Sequence, residues 1–555
     1  MLNNKQYNRF ILLMGILISF QVSMSQDRSG EIEDTQVIIE KDKPLSLPKA
    51  NRHYQPTEID LVKYESSAIN YDFSEVTYSA QNYNPSFDYR TFNSVNQQQL
   101  YNNYIKAGYG NFGSPLIEGQ YLLSYDDHYL KTFVKHLSFS KGPVREEESA
   151  FSQNQVRLQG HLDGDISFDP YISWSREGFY FYGRDNEDDL LNPFVIDDKI
   201  ILQTVETGVG IDLNLEEVGM DLNPFFRSTI NKISGGEKFN AESLLSLNGR
   251  GYWQALDKLK IGLGMRLDNL RYESQVLQKR TYFDINPLLT FSDLDLSIKG
   301  GLKLAFANDS TGSGASTYFY PDVEVILNLI DGVTLYGNID GGLQLTSLYD
   351  LSNENRYLEN VLPFLNQNRK LGIGGGVRTK ITDQFFLDAS LGYDLIEDMP
   401  FFIHSGTDSS RFTVAYDSGS ISRTKLMIGA GYFSGNVFSL NYNLTYYGYA
   451  MNSLEAPWYK PNAEMNLLAN YNLNDRFNFQ FSTQLLTGIT APRAFDGSAQ
   501  KLPAILDIGI GVEVKLIEKA SVFADVRNLI SKEYERYLYY PTRGISFKLG
   551  FIYRF

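Results

Sequence analysis

From about Tyr101 to the carboxyl terminus, apolar and polar side chains alternate with a period of two. The last run is the clearest: Phe547, Leu549, Phe551, Tyr553 and Phe555 share one face, while Ser546, Lys548, Gly550 and Arg554 take the other, with Ile552 the one exception. Alternation of this kind describes a β-strand with one face in lipid and the other towards a polar lumen. The same pattern runs through Phe385, Leu387, Ala389, Leu391, Tyr393 and Leu395 against Asp388, Ser390 and Asp394. It returns at Ile508, Ile510, Val512, Val514 and Leu516 against Gly509, Gly511, Glu513 and Lys515. Each run supplies the roughly 9–11 residues that a tilted strand needs to cross a bilayer.

Ten short turn signals separate these runs: Asp126-Asp127, Asp163-Gly164, Glu216-Glu217, Asp257-Lys258, Asp293, Asp331-Gly332, Thr382 to Gln384, Ser434 to Asn436, Asn474-Asp475 and Glu518-Lys519. Between them lie longer polar connections such as Lys141–Ser149, Arg184–Asp198, Asn308–Ser316, Leu351–Lys370 and Thr490–Lys501. A short turn, a strand, a long loop and a strand is the order of an outer-membrane barrel whose short turns face the periplasm. The expected fold is therefore all-β: a transmembrane antiparallel β-barrel of about 22 strands over residues 101–555, with short periplasmic turns, longer extracellular loops and both barrel ends periplasmic. Phe401 to Ser418 is expected to be an extracellular ribbon extending two neighbouring strands. A soluble propeller is disfavoured, since its strands are shorter and its blade motifs repeat.

The amino terminus differs. Lys5 and Arg9 precede an apolar run, Phe10 to Phe20, and Ser23 and Ser25 sit before a cleavage position at Gln26. Residues 1–25 are expected to be a signal peptide. Residues 26–100 are polar and rich in Asn, Tyr and Ser, and are expected to form an extended periplasmic or lumenal segment with little core of its own. The net charge of −16 argues against a nucleic-acid partner, because phosphate contacts need a basic face. The absence of cysteine removes disulfides, thiol catalysis and a lipid-modified cysteine together.

The last hairpin carries a family likeness. Asn528-Leu529, Tyr534, Pro541 to Gly544 and the terminal Phe555 resemble the closing hairpin of TonB-dependent outer-membrane receptors. Near the mature start, Asp34, Thr35, Gln36, Val37, Ile38 and Ile39 resemble a TonB box, which pairs with an inner-membrane energy coupler by adding a strand. The resemblance implies an integral protein of a Gram-negative outer membrane involved in transport, with outer-membrane lipid, the barrel-assembly machinery and the TonB coupler as partners. It also implies that Phe551, Tyr553 and Phe555 form the signal read during barrel insertion. One departure is large. The family's plug exceeds about 100 residues, the size of an ordinary small domain, whereas only about sixty separate Ile39 from the first strand. The lumen then needs another occupant: the tyrosine-rich tail (Tyr64, Tyr71, Tyr78, Tyr83, Tyr89), folded-in extracellular loops, or a further outer-membrane or surface protein. The tail or a partner is favoured. A non-transporting barrel, acting as scaffold or accessory subunit of a larger complex, is the alternative.

No catalytic, cofactor or metal site is expected. The histidines, His53, His128, His136, His161 and His404, are scattered, and no Ser-His-Asp constellation is readable. The acidic runs Glu146 to Glu148, and Asp185 with Glu187 to Asp189, lack fixed ligand spacing and read as solvated loops. Gly372, Gly374, Gly375 and Gly376 lie in an alternating strand and are expected to ease packing or curvature. Phe179 to Tyr182 is expected to join an interfacial aromatic girdle.

Overall fold

The computed structural model describes residues 103–125, 127–184, 199–236, 238–275, 277–308 and 316–555. They form one 22-stranded antiparallel sheet closed on itself. Closure is direct: the first strand, Tyr104–Gly110, pairs with the last, Ser546–Arg554, from Tyr104 opposite Arg554 to Gly110 opposite Lys548. All ten expected short turns fall between consecutive strands on one rim, and each is two to four residues long. The opposite rim carries the longer connections, so it is the extracellular one.

The terminal strand behaves as its alternation requires. Phe547, Leu549, Phe551, Tyr553 and Phe555 are exposed on the lipid face, while Lys548 and Ile552 are buried on the other. The exposed belt continues through Ile373, Leu391, Leu426 and Ile510. A closed barrel leaves no unpaired strand edge, so every backbone group at membrane depth is satisfied within the sheet. The molecule is an integral membrane barrel.

Inside, charges face one another. The Arg369 guanidinium pairs with Asp340 and, at 3.3 Å, with Asp394, which also accepts from Arg423 at 2.7 Å. Gly372 makes this possible, because a Cβ there would meet Asp340 at 2.7 Å and Arg369 and Asp394 at 3.0 Å. Gly374 likewise clears Asn338, and Gly376 clears the Tyr336 ring. The glycine-rich strand thus serves packing, on the lumen face.

The ribbon at Phe401 to Ser418 is a hairpin, but it does not simply prolong its neighbours. Pro400–His404 and Phe412–Tyr416 pair with each other as a separate two-stranded sheet. Left-handed backbone at Asp398 (φ 53°) and Gly419 (φ 77°) turns the hairpin away from the barrel strands. Phe401, Phe402 and Phe412 are then wholly buried. Their apolar surface needs a partner, and the neighbouring loops supply it.

A candidate gate built from the extracellular loops

The largest apolar cluster in the described residues joins the loops to inward side chains of the barrel wall such as Tyr272, Tyr282 and Tyr320. Leu348, Leu351, Leu358, Leu362 and Phe364 come from residues 345–366; Phe401, Phe402, Phe412 and Val414 come from the hairpin. Trp458 and Tyr459, Ile489 and Leu502, and Tyr534, Tyr537, Leu538 and Tyr540 come from three further loops. Full burial of one large apolar side chain contributes about 1.5–3 kcal/mol, so a cluster of this size holds the loops as one body. It is a lid.

Three tyrosines locate it. Tyr182 follows the fifth strand, Tyr357 lies between the thirteenth and fourteenth, and Tyr540 between the twenty-first and twenty-second of the ring. These starting points divide the circumference roughly into thirds. A 22-stranded barrel at the usual strand spacing and tilt is roughly 40 Å across. The rings nevertheless meet, with centroids 3.7 Å apart for Tyr357 and Tyr540, 4.8 Å for Tyr182 and Tyr540, and 6.0 Å for Tyr182 and Tyr357. Three points on the rim can converge this closely only if the loops that carry them fold inward over the opening. Hydrogen bonds fix the junction: the Tyr182 hydroxyl donates to Pro541 O at 3.2 Å, and those of Tyr540 and Tyr537 donate to Ser410 O and Glu354 O. Burial pushes the Tyr182 and Tyr540 hydroxyls well above their ordinary pKa, so both remain neutral donors.

The lid is bolted to the wall by inward side chains of strands Lys238–Leu256, Leu259–Glu273 and Leu277–Ser292. Glu242 accepts from Leu348 N at 2.6 Å and Tyr349 N at 3.4 Å, capping the short helix Leu348–Glu354. Arg280 donates to Asn366 Oδ1 at 2.9 Å and to Thr346 O at 2.5 Å, and the Tyr272 hydroxyl donates to Asn360 O at 2.9 Å. At the far end of the helix, Lys460 pairs with Glu354 in a buried bridge, and Arg536 donates to Tyr459 O at 2.7 Å. Buried charges left alone are costly, so each latch favours the closed arrangement.

One latch is pH-dependent. Burial pushes the Asp417 carboxyl up, but the Ser453 hydroxyl and the N–H groups of Asn452, Leu454 and Ser453, all within 2.8 Å, outweigh it and hold it down at about 2. Because its pKa is depressed in the fold, this stabilisation is complete above about pH 4 and is lost as pH falls towards 2, amounting to about 2 kcal/mol. Asp417→Asn is expected to loosen residues 451–455 at neutral pH to the extent that acid loosens the wild type. Amide exchange of that loop between pH 2 and 6 checks it.

Several sequence expectations change here. Phe179 and Phe181 do not form a girdle: both are buried, and the Arg411 guanidinium lies 4.6 Å over the Phe181 ring within the lid. Folded-in loops, one of the three occupants considered, meet on the extracellular side. His404 is also inside the lid, with Nδ1 2.7 Å from Ser409 O and Nε2 3.3 Å from the Tyr459 hydroxyl. Glu146 to Glu148 form one short helical turn paired with Lys141 and Arg145. Among the described residues no cluster of His, Asp or Glu could hold a metal ion. Asp185, Glu187 to Asp189, the tail and Asp34 to Ile39 lie outside the described residues. The missed signal was apolar recurrence in a loop: residues 345–366 carry seven Leu or Phe where a solvated connection needs none.

A closed 22-stranded barrel with a lipid belt and long extracellular loops has the architecture of the TonB-dependent outer-membrane receptors. Solved structures agree on the fold. The FrpB iron transporter from Neisseria meningitidis matches with a TM-score of 0.65 at 10% identity, over 82% of this chain and 81% of that one. The siderophore receptor PirA from Acinetobacter baumannii matches at 0.61 and 11% identity, over 82% and 80%. The copper transporter OprC matches at 0.59 and 12%, over the same shares. No protein-family model matches the chain, and no curated protein sequence does.

Proposed function

We propose that this chain is a receptor-type outer-membrane transport barrel that closes its extracellular mouth with its own loops, without a folded plug. The convergence of Tyr182, Tyr357 and Tyr540 carries the proposal, since it draws three loops together over the side from which a substrate would enter. The fold shared with iron, siderophore and copper transporters supports transport rather than catalysis as the main role. In this reading Asp34 to Ile39 recruits the energy coupler from the periplasmic side, and residues 26–100 are the segment through which work reaches the barrel. The cohesion of the lid favours a second reading, a permanently sealed barrel serving as scaffold or accessory subunit.

A peptide of residues 34–39 is expected to bind the periplasmic domain of the coupler. No binding at high peptide concentration, together with stoichiometric co-purification of another outer-membrane protein in mild detergent, would favour the scaffold. Insertion gives a separate expectation. Phe551, Tyr553 and Phe555 all face lipid, and Phe555 stacks 5.9 Å from Tyr553. Deleting Phe555 is expected to slow appearance of the folded, heat-modifiable form, while leaving the lid of molecules that do insert unchanged.

A further inference from the structure

Two rows of side chains cross the lipid face at the extracellular ends of three neighbouring strands, His128–Phe139, Phe151–His161 and Ile166–Phe179. One row is His136, Asn154 and Arg176; the next row outward is Ser138, Ser152 and Gly178. Directly below them lie Val134, Val156 and Trp174. Val134 and Val156 are exposed to lipid, so the alternation puts His136, Ser138 and Asn154 on that same face. A tryptophan in the row beneath is typical of the boundary between acyl chains and headgroups. The upper rows therefore stand at the depth of the glycerol esters.

The side chains are joined in one direction. His136 Nδ1 lies 2.8 Å from Asn154 Oδ1, an acceptor, so Nδ1 carries the proton and Nε2 is left free to accept one. The Ser138 hydroxyl is 3.2 Å from that Nε2. A hydroxyl, an imidazole and an orienting carbonyl in this order make up the nucleophile, base and orienter of a hydrolytic triad, which is recognised by geometry rather than by chain position. Across from Ser138, the Ser152 hydroxyl is buried with no hydrogen-bond partner. Gly178 leaves space that Lys199 fills: a Cβ there would collide with Lys199 Cε and would meet Ser152 Oγ at 2.7 Å and Lys199 Nζ at 3.2 Å. An unpaired hydroxyl thus lies opposite Ser138 on the neighbouring strand, with the Lys199 side chain one strand further on, beside Gly178.

We propose that Ser138, His136 and Asn154 form a serine esterase site that hydrolyses acyl esters of glycerophospholipids at the outer-leaflet boundary. This goes beyond the transport reading and does not rest on it. Ser138 Oγ bonds to the ester carbonyl carbon as its proton passes to His136 Nε2, and the displaced electron pair rests on the carbonyl oxygen, on the side of Ser152. The bond from that carbon to the glycerol oxygen then breaks, the oxygen takes the proton from His136, and lysophospholipid leaves. Water attacks the acyl-serine and gives its proton to His136. The bond to Oγ breaks, Ser138 regains the proton, and a fatty acid departs. Arg176, opposite Asn154, is placed for the headgroup phosphate. Asn154 is a positioning residue.

The full chain in mixed micelles is expected to react covalently with dodecyl fluorophosphonate at Ser138, located by peptide mass spectrometry, and to release fatty acid from phosphatidylethanolamine. Ser138→Ala and His136→Gln are expected to lower release by roughly 10³-fold or more. Asn154→Ala is expected to lower it less and to displace the rising limb of the pH profile. Thr281→Ala, on another part of the belt, is expected to change nothing. Heat-modifiable migration confirms folding of each variant. Labelling at a different serine, or release by the wild type no faster than by Ser138→Ala, would overturn the proposal.

Discussion

Replacing Tyr182, Tyr357 and Tyr540 together by alanine is expected to turn an electrically silent barrel into a conducting one. Each truncation of a buried aromatic costs about 3–5 kcal/mol, and because the three rings share one junction their losses are coupled rather than independent. The three loops meet at this junction, so their tips separate before the strands feel any change. Wild-type protein in a planar bilayer is expected to show no steady current, with or without residues 26–100. The triple variant is expected to pass ions, with conductance at least tenfold above the wild-type background, and to be cut by externally added protease within residues 345–366. Its heat-modifiable migration is expected to persist, because the strand ladder owes nothing to the trio. A silent, protease-resistant triple variant would place the closure elsewhere.

The second large effect concerns the helix Leu348–Glu354. Lys460→Met leaves Glu354 buried without its counter-ion, and breaking a buried pair this way costs about 3–5 kcal/mol. Amide exchange at residues 347–357 is expected to rise by two to three orders of magnitude in consequence. The double variant Lys460→Met with Glu354→Leu is expected to recover most of the protection, since two apolar groups of similar size remove the unpaired charge. If the single variant exchanged like wild type, the helix would be held by Glu242 and apolar contact alone. Such a result would leave the lid closed but relocate its latch.

The wall of this molecule is written locally and its lid is not. Strand alternation has a period of two, and the turns carry Asp, Gly or Asn, so neighbours a few residues apart declare the ten short turns and the closing strand. The tyrosine junction joins residues 175 to 358 positions apart (Tyr182 with Tyr357, and Tyr182 with Tyr540). No periodicity links such residues; only the ring of strands brings their loops together. The stretch Phe401 to Ser418 was recognisable as a ribbon because no short turn breaks it, but its departure from the barrel strands depends on left-handed backbone at Asp398, a position that alternation does not mark. The esterase candidate illustrates the same limit. His136 and Ser138 are two residues apart and visible as a pair, yet Asn154 joins them only through the register of the neighbouring strand.

The central claim is that the lumen is shut from the outside by these loops. The chain has no cysteine, so any introduced thiol is the sole target for a maleimide. Glu324→Cys, on the lumen face of strand Ser316–Ile330, and Phe495→Cys, exposed at 80% in an extracellular hairpin, give the two positions needed. With intact cells and a membrane-impermeant maleimide, the thiol at 495 is expected to label rapidly and the thiol at 324 hardly at all, until Tyr182, Tyr357 and Tyr540 are replaced. Equal labelling of both positions in the otherwise wild-type barrel would contradict the account.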